Sequence, residues 1–185
     1  VPVPGGETTG SGPLALTTPE AARRTLDLHR EAFAARALSA AMDRVIGLVL
    51  QPGVEFANDA IHAHDPPLAV SLAAAAPGFD GPLYEAHSTD YQTVEALAAL
   101  VGDHFAILKV GPELTFAYRQ AVMALERPEA LMGLPPSGVT AALLTAMRAR
   151  PADWRAHVAP GAREEAMMLY GLSDRPRYSW PMAAT

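Results

Sequence analysis

Two short runs constrain this chain more than any other feature: Val45-Ile46-Gly47-Leu48-Val49-Leu50 and Phe105-Ala106-Ile107-Leu108-Lys109-Val110. Each is almost wholly apolar over the length of one strand, which fits a parallel strand covered on both faces. Pro82-Leu83-Tyr84 reads as a third, shorter strand, and Val1 to Val3 as the tail of a fourth. Helical patterns separate them. Thr18-Pro19-Glu20 opens a helix, with Thr18 as cap and Pro19 at its first position. Its apolar stripe is Ala22, Leu26, Phe33 and Leu38, ending near Ala40. Leu68 to Ala76 reads as a second helix. Val94 to Val101 reads as a third, with Val94, Leu97, Leu100 and Val101 on one face. Leu114 to Leu125 follows, with Tyr118, Val122 and Leu125 expected inward. Repeated strand–helix units imply a parallel sheet with right-handed crossovers.

Polar chemistry gathers after each strand. Glu7 lies in the Gly-rich stretch Gly5 to Pro13, either an anion-wrapping loop or a surface linker. Glu55 and Asn58 follow Gln51-Pro52-Gly53, where α/β folds place ligands. The densest stretch is Glu85-Ala86-His87-Ser88-Thr89-Asp90-Tyr91-Gln92-Thr93. On a strand Glu85 and His87 point the same way, because the side-chain period is two. A carboxylate beside an imidazole suits a divalent metal or an acid–base pair. Ser88 or Thr89 is positioned to cap the following helix, and Asp90 and Tyr91 to move protons. Lys109 interrupts an apolar run, where a buried ammonium is costly unless paired. It suits a phosphate clamp, an electrostatic catalyst or a Schiff-base amine. By contrast, Ile61-His62-Ala63-His64-Asp65 lacks the HExxH spacing and reads as a surface loop. In the tail, Ser173, Arg175 and Arg177 suit an anion or sugar-phosphate contact, or a docked terminus tied by an Arg–Asp pair. Polar groups at successive strand ends are the pattern of a (β/α)8 barrel. The expectation is an α/β fold: the C-terminal half of a TIM barrel, with four βα units over residues 1–126. A helical extension and tail over residues 127–185 would follow, with Trp154 in its core.

Composition removes several function classes. Net charge is −6 with no basic block, so no nucleic-acid role is expected. Cysteine is absent, which excludes disulfides, thiolate nucleophiles and Cys-based zinc sites. No apolar run has transmembrane length, and no secretory leader is visible, so a cytoplasmic location without membrane attachment is expected. The first residues read as the middle of a strand, and the expected chain is a fragment. Its open strand edges would then favour an oligomer.

Several strings resemble one family. They are Pro2-Val3-Pro4-Gly5-Gly6-Glu7, Gln51-Pro52-Gly53-Val54-Glu55-Phe56, Glu85 through Thr93, and Asp103 through Pro112. Leu172-Ser173-Asp174-Arg175 and Tyr178-Ser179-Trp180-Pro181 complete the set. The chain resembles the C-terminal portion of the non-catalytic subunit family of class II D-tagatose-bisphosphate aldolase, the GatZ/KbaZ-like proteins. Departures are Pro176, Ser179 and Glu113, the last adding a charge near Lys109. The resemblance implies a TIM barrel about twice this length. It implies a subunit that stabilises or activates a separate catalytic class II aldolase. Its alternative is a metal-dependent 4-epimerase interconverting tagatose 6-phosphate and fructose 6-phosphate. By resemblance to the zinc-dependent aldolases, Glu85 and His87 would hold zinc or another divalent metal. Glu55, Asp90 and Lys109 would then be catalytic. Glu7, Asn58, Ser88, Tyr91, Ser173, Arg175 and Arg177 would contact the sugar phosphate.

Overall fold

A computed structural model describes residues 14–161 and 163–182. The expected strand at Val1–Val3 and the candidate Glu7 lie outside the described residues. In chain order the elements begin with α1 (Pro19–Ala34), β1 (Gly47–Leu50), β2 (Glu55–Phe56), β3 (Ile61–His62) and α2 (Pro66–Ala75). They continue with β4 (Leu83–Ala86), α3 (Val94–Gly102), β5 (Phe105–Leu108) and α4 (Pro112–Ala124). Three more helices follow: α5 (Glu126–Leu131), α6 (Val139–Ala149) and α7 (Glu164–Tyr170). Strands β1, β4 and β5 are parallel and adjacent in that order. Strands β2 and β3 form a separate two-stranded sheet where a loop was expected.

The half-barrel expectation is corrected by these two small open sheets. Among the described residues no closed barrel is seen. Neighbouring strands twist by about 20–25°, so three of them curve without their edges meeting. Among the described residues, strands β1 and β5 are the edges of the sheet.

The described chain forms two compact units. The first comprises residues 14–55 and Ile61–Val110. Its core lies on one face of the three-stranded sheet, where Leu48, Leu50, Tyr84, Ala86 and Phe105 meet Ala22 of α1, Leu72 of α2 and Leu100 of α3. Tyr84 packs its ring 5.6 Å from Phe105 and 5.2 Å from Phe79, centroid to centroid. Fully burying a side chain such as Leu50 or Leu100 contributes roughly 1.5–3 kcal/mol. Val94 and Val101, expected on the inner face of α3, are instead exposed. Helix α1 starts as expected, with the Thr18 hydroxyl accepting from Ala21 N at 3.2 Å. It stops at Ala34, earlier than expected, and Ala37 turns into the left-handed region at φ 56°.

The second unit comprises Phe56–Ala60 and residues 111–182. Met123, Leu143, Leu144, Met147, Trp154, Val158, Met168 and Leu169 form its core. Trp154 is buried as expected and donates its indole N–H to Met147 O at 2.7 Å. Directly after α4 comes α5. There Glu126 accepts from the Thr140 hydroxyl at 2.6 Å and the Thr140 amide at 2.9 Å. The hydroxyl bond foremost, then the amide bonds, hold its carboxyl below the usual carboxylate range. A negative charge at the start of α6 also complements that helix's dipole. Helix α4 departs from its expected face. Tyr118 and Leu125 are exposed, and Arg119 and Met123 point inward. No helix among the described residues is long and apolar enough to cross a membrane.

Candidate functional site

Strand β4 places Leu83 and Glu85 on the sheet face opposite the core, and His87 follows one alternation later. Glu85 is half-buried, and its Oε1 lies 2.7 Å from His87 Nε2. On the same face a Cβ at Gly47 of β1 would sit 2.9 Å from Glu85 Oε2 and 3.2 Å from Ile107 Cδ1. The carboxylate therefore lies over a position left open by a glycine.

A β-bulge brings β5 into this arrangement. Tyr84 pairs with Phe105, yet Glu85 pairs with Ile107, so Ala106 is an extra residue. The extra residue reverses the alternation. Phe105 faces the core, while Ile107, and by continuation Lys109, face the Glu85 side. Without the bulge Lys109 would turn toward the helices. The Lys109 amide donates to Ala86 O at 2.9 Å and continues the ladder, and its side chain is exposed. Lys109 O accepts from both the Thr89 amide at 3.3 Å and the Thr89 hydroxyl at 2.9 Å. Thr89, 1% exposed, thus pins the loop after β4 to the end of β5. Ser88 and Tyr91 adopt left-handed backbone at φ 56° and 62°, conformations that such loops hold only when their surroundings fix them. The cap of α3 is Thr93, which accepts from Ala96 N at 3.2 Å, not Ser88 or Thr89.

In the first unit, then, Glu85, His87 and Lys109 share one side of the sheet. Asp90 is buried in the same loop, Tyr91 and Ser88 are half-buried there, and Glu55 is buried in β2. Two ligands do not complete a metal centre, which takes roughly three or four protein donors. Among the described residues no three His, Cys, Asp or Glu side chains come together. The zinc expectation is therefore not supported by the side chains described, and Glu85 and His87 are spent on each other.

The second unit holds the remaining candidates. The Ser173 hydroxyl donates to Asn58 Oδ1 at 2.6 Å, and Leu172 N donates to Asn58 O at 2.8 Å. A Cβ at Gly171 would lie 2.1 Å from Asn58 Oδ1, so this approach requires glycine. Arg177 donates to the carbonyls of Ser173 and Asp174, and Arg175 Nε to Asp153 O at 2.6 Å.

Sequence reasoning missed Arg119. It is 2% exposed and donates from Nε (3.0 Å) and Nη2 (2.5 Å) to Asp174 Oδ1, and from Nη1 to Leu169 O at 2.7 Å. Thr115 donates to Asp174 Oδ2. An Arg on an amphipathic helix reads as surface, and its partner lies 55 residues away. Missed as well was His64, whose fully buried side chain meets Asp103 Oδ2 at 2.9 Å.

Comparison with known proteins fixes the family. The chain is 49% identical over 185 residues to a D-tagatose 6-phosphate 4-epimerase of Agrobacterium fabrum (strain C58 / ATCC 33970), covering 97% of this chain and 43% of that one. Its fold matches a solved structure from Sinorhizobium meliloti 1021 described as a probable tagatose 6 phosphate kinase, at TM-score 0.81 and 42% identity. That match covers 92% of this chain and 45% of the other. The chain thus spans under half the length of these relatives. The Agrobacterium protein carries the name of a catalysed reaction, which overturns the expectation of a non-catalytic subunit. The model for D-tagatose-1,6-bisphosphate aldolase subunit GatZ/KbaZ-like proteins matches residues 1–185, and the chain belongs to that family.

Proposed function

We propose that this protein interconverts ketose 6-phosphates epimeric at C4, tagatose 6-phosphate and fructose 6-phosphate. The observation that carries the reading is the Glu85–His87 hydrogen bond on the sheet face away from the core, with Lys109 on the same side. The 49% identity to an epimerase supplies the substrate class.

The chemistry of C4 decides what such a site has to do. The C2 carbonyl acidifies the hydrogen on C3, not the one on C4. Inversion at C4 by simple proton removal is therefore closed, and breaking the C3–C4 bond is the route that acid–base side chains can serve. A base takes the proton from O4, and the C3–C4 electron pair moves into an enediolate over C2 and C3. The aldehyde released turns its other face, the bond re-forms, and the base returns its proton to O4. In this reading Glu85 orients His87 and stabilises its charged form while the imidazole holds the proton. Lys109 faces the negative charge of the enediolate.

The test is incubation of the purified protein with tagatose 6-phosphate and no partner or nucleotide, in deuterated water. Fructose 6-phosphate should form with the C4 hydrogen retained. No product from folded protein overturns the reading, and deuterium at C4 overturns the bond-cleavage route.

Gly47→Ala offers a sharper probe of the geometry. Its new methyl meets the ends of two flexible side chains, so the fold should tolerate it. The Glu85 carboxylate has to move, however, and a misplacement near 1 Å costs up to about 10²-fold in rate. Turnover should fall by about 10- to 100-fold with little change in melting temperature. Unaltered kinetics in Gly47→Ala would show that the carboxylate position is immaterial.

A further inference from the structure

We propose that His157, Arg175, Arg177 and Tyr178 form an anion site in the second unit, built for a phosphate monoester. It deepens the sugar-phosphate reading and rests on it only for the identity of the ester.

The local backbone gathers the groups. Residues Arg175–Tyr178 form a 3-10 turn, in which side chains three apart eclipse. Arg175 accordingly stacks on Tyr178, its guanidinium carbon 4.4 Å from the ring centroid. Arg177 lies 4.5 Å from the same centroid, and its Nη2 donates to the Tyr178 hydroxyl at 2.8 Å. Two guanidinium groups therefore meet around one phenol.

Their charge is not balanced locally. Asp174, next to Arg175 in sequence, spends both carboxylate oxygens on Arg119 and Thr115. The Asp153 carboxylate lies 2.8 Å from Arg150 Nε; it acts on Arg175 through space, and the direct contact to Arg175 is from its backbone carbonyl. Arg177 is likewise held by the carbonyls of Ser173 and Asp174. Among the described residues, then, neither guanidinium has a carboxylate in ion-pair contact.

His157 adds a third basic group. Its Nδ1 is buried and has no hydrogen-bond partner among the described residues. Burial foremost, then Arg175 and Arg177, push its pKa below the usual imidazole value. The other charges around it are Asp153 with Arg150 on the preceding turn, and Arg155 on its own turn. Arg155 covers the Trp154 ring and pairs with Glu164. A tetrahedral dianion would accept from the planar Arg175 fork and the Tyr178 hydroxyl, and from His157 once protonated. Tyr178 is exposed and the two arginines are half-buried, so the cluster is open to solvent.

The experiment is calorimetric titration at fixed ionic strength with inorganic phosphate, sulfate, fructose 6-phosphate and fructose. Both phosphates should bind saturably and fructose should not. Arg175→Gln should weaken phosphate by about tenfold or more, as expected for losing a charged hydrogen bond. Tyr178→Phe deletes one exposed hydroxyl and leaves the fold intact, and should weaken phosphate several-fold. Sulfate, which does not titrate in this range, should bind more tightly as pH falls from about 7 to about 5, because His157, held below the usual imidazole value, gains its proton there. His157→Gln should remove that trend. No saturable phosphate binding, or equal affinity in Tyr178→Phe and Arg175→Gln, overturns the site. Lost turnover with phosphate binding intact strikes the epimerase reading and leaves this one standing.

Discussion

Glu85→Gln should lower kcat by about 10²- to 10⁴-fold, the range over which a positioned acid–base group contributes. The substitution keeps the shape of the side chain and a hydrogen bond to His87 Nε2, now at 2.7 Å from a carboxylate oxygen. It removes the negative charge that stabilises the imidazolium. Glu85 is only half-buried and carries no core packing, so melting should shift little. His87→Gln should cost a similar factor, and the double variant little more than either single one, because the two act as a unit. Steady-state kinetics on tagatose 6-phosphate, with a thermal melt of each variant, decides the matter. A Glu85→Gln enzyme within about threefold of wild type would contradict the assignment. So would full additivity of the two substitutions, since independent groups add.

The pairing of Glu85 with His87 was legible in the sequence because a strand has a side-chain period of two. Any strand through Pro82-Leu83-Tyr84-Glu85 carries both residues to one side. Lys109 was legible only as an oddity. What puts it on the Glu85 side is one extra residue at Ala106, and nothing in an Ala between Phe and Ile announces a bulge. Parallel strands were likewise visible as apolar runs, whereas β2 and β3, two residues each, are too short to show a period. The inner face of α4 was misread for a different reason. Tyr118 and Leu125 make a plausible apolar stripe, and Arg119 looks like its solvent edge. Helical periodicity assumes that the buried face is apolar. Here a buried ion pair, formed with a residue 55 positions away, selects another face. The barrel expectation failed at a higher level, since strand and helix order implies a parallel sheet but not its closure.

That ion pair gives the largest expected effect on stability. Asp174 is wholly buried, and Arg119 beside it is 2% exposed. Asp174→Ala would leave a guanidinium buried with Leu169 O, Met123 Sδ and the Phe116 ring as its remaining partners. Removing one member of a buried pair costs about 3–5 kcal/mol, because the other charge stays desolvated and uncompensated. At about 2–4 °C per kcal/mol for a chain of this size, melting should fall by roughly 10 °C or more. The Thr115 hydroxyl loses one of its two acceptors in the same step and keeps Pro112 O. Asp174 also sits in left-handed backbone at φ 44°, which Asp tolerates better than Ala, so the loss is not electrostatic alone. Asp174→Asn separates the two contributions, since Asn keeps the backbone preference and some hydrogen bonds but not the charge. The second variant that isolates the pair is Arg119→Leu with Asp174→Asn. If the charge on Arg119 causes the damage, this double variant should be more stable than Asp174→Asn alone, because no unpaired charge remains. Urea melts followed by far-ultraviolet circular dichroism report the differences. A double variant less stable than the single one would mean that Arg119 matters for its packing against Phe116 and Met123, not for its charge.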